Sequence, residues 1–259
     1  MRIYHYTSIQ TLALILKHKT IRFNRLDLVD DIEEAAYGSG PMQTKLGQYQ
    51  FVSCWTKSEN ENLALWNMYT RYEGVRIGID SMPFYTYNVG NDFVSLLEKT
   101  EIWEEDYYTS SFMNPAKLYD VVYVNDPEAE IKKLATEEGH GNLYKLPLVG
   151  IYKREQWAMQ EESRFKIAVF PMKYMNERSK LKDPKFFDFA VMGELTKRSY
   201  PLKTQYFDLP IREEALSDIH VMMGPLTTEA DRCIVEALLK DIPNAQIEES
   251  MFLGKLRKK

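Results

Sequence analysis

Polar and apolar positions alternate over residues 2–6, and the period then changes. Ile9, Leu12, Ile15 and Leu16 recur at helical spacing, and Thr7 or Ser8 offers the oxygen that caps such a helix. Alternation resumes over 20–23, so the chain opens as strand, helix, strand. The same order returns further on. Residues 49–55 read as a strand and 56–62 as a turn with a helix cap. Leu63, Leu65, Trp66 and Tyr69 form a short helix, and 74–80 a strand with a close-approach glycine at Gly78. The middle predicts a helix around 94–99, a loop over 104–114 and a strand over 118–124. Asp126 caps a helix over 127–137, with Pro127 at a tolerated early position. Residues 138–141 break it, and 143–159 read as mostly helical despite Pro147 and Gly150. Later strands fall at 206–211, 219–223 and 247–252. Thr228 with Asp231 opens a helix whose apolar face is Ile234, Leu238 and Leu239. Residues 38–47 and 176–184 read as loops, and 186–200 carries no clear pattern. With no repeat and no linker, the mixed order predicts one α+β domain over residues 1–259.

Composition narrows the function. A formal net charge of −5 argues against broad binding to nucleic acid or to an anionic membrane. No stretch reaches the length of a membrane span, and the opening M-R-I-Y-H-Y-T-S lacks the apolar core of a signal peptide. Cys54 and Cys233 lie far apart without metal-like spacing, which predicts reduced, buried thiols and a cytoplasmic setting. Four histidines are too few for a histidine-rich metal centre. Tyrosines outnumber phenylalanines, 17 to 12, as in chains that line polar clefts or build tyrosine-rich cores.

The densest polar chemistry is in 153–165, K-R-E-Q-W-A-M-Q-E-E-S-R-F, which runs into Ile167-Ala168-Val169-Phe170. As a strand end it sets Phe165, Ile167 and Val169 on a core face and Gln160, Glu162 and Arg164 on the other. That second face can hold a polar ligand against a carboxylate. The same spacing fits an exposed edge with an ordinary Glu–Arg pair. His5 closes the first strand beside a helix start, where backbone N–H groups and the helix dipole suit a diphosphate. A structural histidine bonded to its own turn fits there too. The acidic run Asp27, Asp30, Asp31, Glu33, Glu34 reads as a solvated loop without metal-ligand spacing.

These landmarks resemble a large bacterial family, the "domain of unknown function 2971". Tyr4-His5-Tyr6-Thr7 matches its opening segment. Trp66 and Tyr69 match its short helix before a Gly-Val strand, Gly74-Val75. Lys153, Trp157, Gln160, Glu162 and Arg164 match its Lys, Trp, Glu, Glu, Arg series, and Gly224-Pro225 its late turn. The resemblance spans nearly the whole chain. There are departures. The family's Asn-Asp-Pro-x-Glu loop is Asp30-Asp31-Ile32-Glu33-Glu34, a family His is Glu73, and Gln160 replaces the first Glu of a Glu-x-Glu pair.

Gln-x-Glu on a late strand with an early His is similar to the ADP-ribosyltransferase pattern. That resemblance implies an ADP-ribosyltransferase-like mixed sheet with peripheral helices, and NAD as substrate. It implies Glu162 as the carboxylate that stabilises a cationic ribose, at a partly solvated site. Gln160 would orient the acceptor, and His5 and Thr7 would position the adenosine-side ribose or diphosphate. Tyr6, Trp55, Trp66 or Trp157 would supply a stacking surface, although Trp66 and Tyr69 fit the core better than a cleft and Trp157 fits either. Arg164 would keep Glu162 charged or bind phosphate. The implied outcome is an ADP-ribosylated protein or nucleic acid, or hydrolysis of NAD, in a toxin or phage-defence setting. Two other readings stand beside it. One is a metal-dependent nuclease on Asp30, Asp31, Glu161 and Glu162. The other is a non-catalytic module that senses a nucleotide or binds a partner protein.

Overall fold

A computed structural model describes residues 1–35, 46–99, 101–103, 107–133, 135–138, 141–144, 148–171 and 200–257. Strand β1 (Arg2–Thr7) leads into helix α1 (Ile9–His18). Ser8 is the cap, its hydroxyl accepting from the Thr11 N–H at 3.0 Å. Ile9, Leu12 and Ile15 turn inward, and Lys19 ends the helix in the left-handed region. Next come β2 (Thr20–Arg25), β3 (Gln50–Thr56), α2 (Leu63–Thr70) and β4 (Val75–Asp80). Asn62 caps α2 by accepting from the N–H groups of Ala64 and Leu65. The chain continues through β5 (Tyr119–Asp120), β6 (Val122–Val124), α3 (Pro127–Lys132), β7 (Tyr152–Arg154) and β8 (Glu162–Ala168). It closes with β9 (Tyr206–Pro210), α4 (Glu213–Ser217), β10 (His220–Met223), α5 (Glu229–Leu239) and β11 (Gln246–Glu249).

The main sheet has the order β9-β2-β3-β1-β4-β10-β11, with β8 added to β3 and β5 to β8. Its pairings are antiparallel except β10 with β11. The result is a mixed α+β fold. Gly78 is needed where predicted, since a Cβ there would lie 2.9 Å from Tyr4 Cε1.

One break in the sheet matters most. β8 pairs with β3 over its full length, from Glu162↔Thr56 to Ala168↔Gln50, and so occupies one edge. β1 and β2 share the other. β1 meets β3 only at Tyr4↔Thr56, and β2 only at Asn24↔Val52 and Arg25↔Phe51. Ser53, Cys54 and Trp55 therefore have no ladder partner on that edge. The sheet parts there, and α1 spans the gap from the end of β1 to the start of β2.

Several expectations are corrected. The helix around 94–99 is absent. Val94–Ser95 pairs with Tyr87–Asn88, and the Leu96 N–H bonds the Asn114 carbonyl instead of a residue one turn back. The loop expected over 104–114 contains a strand, Tyr107–Thr109. The helix over 127–137 stops at Lys132, and Ala135–Glu138 pairs with Gly141–Tyr144. The 143–159 helix is replaced by β7, which runs parallel to β6, and a 3-10 turn over Glu155–Gln160. Gly150, in the left-handed region at φ 76°, breaks any helix before β7. On α5 the capping box of Thr228 and Asp231 forms, but Val235 is buried and Ile234 is exposed. The 38–47 loop apart from its last two residues, the 176–184 loop and all of 186–200 but Tyr200 lie outside the described residues.

The core lies on the face of the sheet that holds Ile3, Phe51, Ile77, Phe165 and Val221, all buried. Phe165 meets Phe84 edge-on at 4.9 Å, and Phe84 touches Phe23 at 5.4 Å. The parity predicted for β8 holds, with Phe165 and Ile167 in this core. Phe165→Ala should cost about 3–5 kcal/mol, because the ring's transfer energy and a cavity are lost together. Urea denaturation checks this, and a loss under 1 kcal/mol would contradict the packing.

Candidate functional site

The gap between β1 and β2 opens as a cleft of about 730 Å³. That is within the range of small-molecule sites. Its walls include His5, Tyr6 and Thr7 from β1, and Val52, Ser53 and Cys54 from β3. Consecutive residues of an intact sheet face opposite ways. Here three in a row reach one cavity because the strands have parted. The cleft joins a small inner chamber of about 60 Å³ walled by Tyr4, His5, Tyr6, Trp55, Tyr69 and Leu65. Cys54, Thr56, Gln160 and Glu162 complete that chamber.

A buried group of four charges forms one side. Glu34 and Arg164 are each 1% exposed and Lys153 2%. Lys153 Nζ lies 2.7 Å from Glu34 Oε1 and 3.3 Å from Glu162 Oε2. Arg164 donates through Nε and Nη2 to Glu162 Oε1, and through Nη1 to Glu34 Oε2 and the Gly150 carbonyl. Burial alone would raise the Glu162 carboxyl, but Arg164 and Lys153 outweigh it and hold it below the usual value. Burial alone would lower Lys153, and Glu162 and Glu34 hold it above its usual value. Two carboxylates and two cationic side chains meet here, so the formal charges of the group cancel.

Local structure explains how they meet. β7 points Lys153 inward and Arg154 outward. The turn Ile32–Ala35 presents Glu34 and Glu33 in the same way, so Glu34 pairs with Lys153 inside and Glu33 with Arg154 outside. Glu161 takes the left-handed region at φ 44°, which ends the 3-10 turn and starts β8 at Glu162. The Glu162 N–H then donates to the Tyr123 hydroxyl at 2.9 Å.

Each predicted residue now has a place. His5, Tyr6 and Glu162 line both chambers, Trp55 and Gln160 the inner one, Thr7 and Arg164 the outer one. Gln160 is spent on protein contacts: Lys153 donates to its Oε1 at 2.6 Å, and its Nε2 donates to the Tyr69 hydroxyl at 3.0 Å. It is buried within the 3-10 turn and orients Tyr69, so a free amide for an acceptor is not what the geometry provides. Trp66 is fully buried, edge-on to Tyr6 at 4.8 Å, with its Nε1 donating to Glu61. It lines neither chamber, so its expected stacking role is corrected. Tyr69, one turn on, is 43% exposed and lines both. Trp157 lies under Lys153, its ring centroid 4.7 Å from Nζ, and also lines neither. Arg164 is enclosed by carboxylates and a carbonyl, which fits the ion-pair role and leaves no face for phosphate. The exposed-edge alternative fails, because β8 lies between β3 and β5.

At the β1–α1 junction the Ser8 hydroxyl already takes the Thr11 N–H. His5 turns away from that junction: its Nδ1 lies 2.8 Å from the Cys54 carbonyl, one of the groups the parted strands leave without a ladder partner. Its ring lies against Trp55 at 5.2 Å. Burial lowers its pKa, partly offset by that hydrogen bond. The Cys54 thiol donates to Glu162, and burial with the Glu162 charge pushes it well up, so it stays protonated.

The four carboxylates of the nuclease reading do not converge. Asp30 is exposed beside Tyr69, Asp31 is buried outside both chambers, and Glu161 is exposed. Among the described residues no three His, Cys, Asp or Glu side chains gather to hold a metal ion. Both cysteines are free, as expected, but Cys233 is exposed rather than buried. No helix among the described residues is long and apolar enough to cross a membrane. Comparison with family models, curated proteins and solved structures finds no match to this chain.

Sequence reasoning missed Glu34 and Cys54, and it read Tyr69 as core. Lys153 was visible only as a member of the Lys-Trp-Gln-Glu-Arg series. Two buried cations on β7 and β8 require nearby anions, and that was the available signal for Glu34. Lys153→Met should destabilise the protein by about 3–5 kcal/mol at neutral pH, because a buried carboxylate loses its match. The deficit should shrink as pH falls through the carboxylate range, since protonating that carboxyl removes the unmatched charge while wild type loses the stability of its lowered Glu162. Urea titrations at pH 7 and pH 4.5 check both statements. A deficit that grows in acid would refute the charge assignment.

Proposed function

We propose that this protein cleaves the glycosidic bond of NAD and transfers ADP-ribose to a macromolecular acceptor. The observation that carries the reading is the inner chamber. Among the described residues Glu162 is the one carboxylate or ammonium-type charge on its wall, facing tyrosine, tryptophan and imidazole rings. Loss of nicotinamide leaves positive charge on the ribose, and a fixed carboxylate there stabilises it. Tyr6, Trp55 and Tyr69 supply apolar ring faces, and the outer cleft offers room for the rest of a dinucleotide. An ADP-ribosyltransferase-like core agrees with a sheet split beside a late-strand glutamate. The resemblance to the "domain of unknown function 2971" family belongs to the same proposal, as does a toxin or phage-defence role. So does a cytoplasmic setting, which free thiols support.

A second reading has its own observation. Both Glu162 oxygens are engaged, Oε1 by Arg164 and Oε2 by Lys153. A carboxylate so occupied suits a module that binds a nucleotide without turning it over. One experiment separates the two. Labelled NAD is incubated with the protein and a cell lysate, nicotinamide release is measured, and NAD affinity is read by calorimetry. Consumption supports transfer or hydrolysis, binding alone supports the sensor, and neither refutes both.

Glu162→Gln should cut NAD consumption by about 10²–10³-fold, the worth of a well-placed electrostatic group. Affinity should change far less, because the ground-state ribose carries no charge at the reacting carbon. The site proves buried, not partly solvated, so the variant should also lose roughly 3–5 kcal/mol of stability. Rates are therefore compared at a temperature where melting curves show both proteins folded. A folded variant that consumes NAD at the wild-type rate would remove Glu162 from the reaction.

A further inference from the structure

His5 carries more than a position in the wall. The Cys54 carbonyl at 2.8 Å can only accept, so Nδ1 holds the proton and Nε2 holds a lone pair. Nε2 has no protein partner among the described residues, and His5 lines both chambers. We propose that His5 is the proton acceptor of this cleft, serving a hydroxyl or amine nucleophile that approaches the sugar opposite Glu162. The proposal rests on the ADP-ribosyl-transfer reading.

The titratable groups and the amide that share the inner chamber with His5 are poor rivals. Glu162 on β8 is ionised, but its oxygens are bound by Arg164 and Lys153. Cys54 on β3 and Tyr69 on α2 are both pushed up by burial and stay protonated. Tyr6 on β1 is raised by burial as well, and its hydroxyl accepts from the Asn62 N–H. Tyr4, also on β1, lies with its ring under the Arg76 guanidinium, 4.0 Å from centroid to Cζ. Gln160 is an amide with both ends engaged. Burial keeps His5 neutral, so its lone pair is present at pH 7.

The step balances. The nucleophile's oxygen or nitrogen bonds the anomeric carbon as the bond from that carbon to the nicotinamide nitrogen breaks. The bonding pair leaves with nicotinamide, whose ring becomes neutral. The nucleophile's proton moves to Nε2, and His5 later returns it to water.

The test uses the full chain in two arms. Nitrogen-15 NMR of the labelled histidines should show His5 protonated at Nδ1 alone at pH 7 and titrating below 6.5. His5→Gln should lower NAD consumption by about 10²–10⁴-fold and remove the acid limb of the rate profile, with NAD affinity changed only a few-fold. A purely structural His5 would leave the shape of that profile unchanged. Protonation at Nε2, an imidazolium at pH 7, or a variant with wild-type rate overturns the proposal while the transfer reading stands. A wild type that consumes no NAD overturns both.

Discussion

Four charges are buried together, and much of the site follows from that. Each alone would cost several kcal/mol to take out of water. Their mutual attraction repays this only with all four present, so the turn 32–35, β7 and β8 must arrive as a set. Glu33 and Arg154 repeat the link at the surface, where solvent weakens it. A cluster of well-packed apolar residues could have joined the same segments at equal or better stability. What apolar residues could not do is hold a carboxylate ionised and motionless at the wall of a cavity. Glu162 is anchored through both oxygens and through its own backbone N–H. A group so held needs no reorganisation when charge appears in front of it.

The break in the sheet sets where that carboxylate is seen. Had β1 followed β3 along its length, Tyr6 and Cys54 would be ladder neighbours and no cavity would lie between them. Parting the strands leaves backbone groups of β3 without a partner, which is costly unless something else bonds them. His5 bonds one of them, the Cys54 carbonyl. The repair and the site are therefore the same residue. The bond that satisfies the parted edge also decides which nitrogen of the imidazole faces the cleft.

How much of this could be read from sequence depends on range. The caps at Ser8, Asn62 and Thr228 were legible because a cap is a bond within a few residues. The two faces of β8 were legible because strand parity is local. The 94–99 and 143–159 segments were not. Their apolar spacing suits a helix, but their backbone groups bond distant partners such as Asn114 and Val122–Val124. Glu34 was hidden for the same reason. Its partners lie more than a hundred residues away, and its neighbours Asp31 and Glu33 suggested a solvated loop. Trp66 and Tyr69 show the limit of periodicity. Three residues apart on α2, they lie about 60° apart around the axis. That is enough for Trp66 to meet Tyr6 in the core while Tyr69 reaches the cleft, and only the packing of α2 on β1 decides which is which.

The cancellation of charge in the cluster does not cancel its field everywhere. Glu162 lines both chambers, whereas Lys153 and Arg164 line the outer one alone. Coulomb attraction falls with distance, and a poorly solvated space screens it weakly. Of the cluster, a cation in the outer cleft meets both positive groups along with both carboxylates, and Arg22, Asp30 and Asp208 line that cleft as well. One in the inner chamber meets the carboxylate first, with the positive groups behind it. Ring faces on the remaining walls add a weaker attraction of the same sign. Neutral as a whole, the cluster is polarised toward the inner chamber, and it is there that a positive charge would gain most.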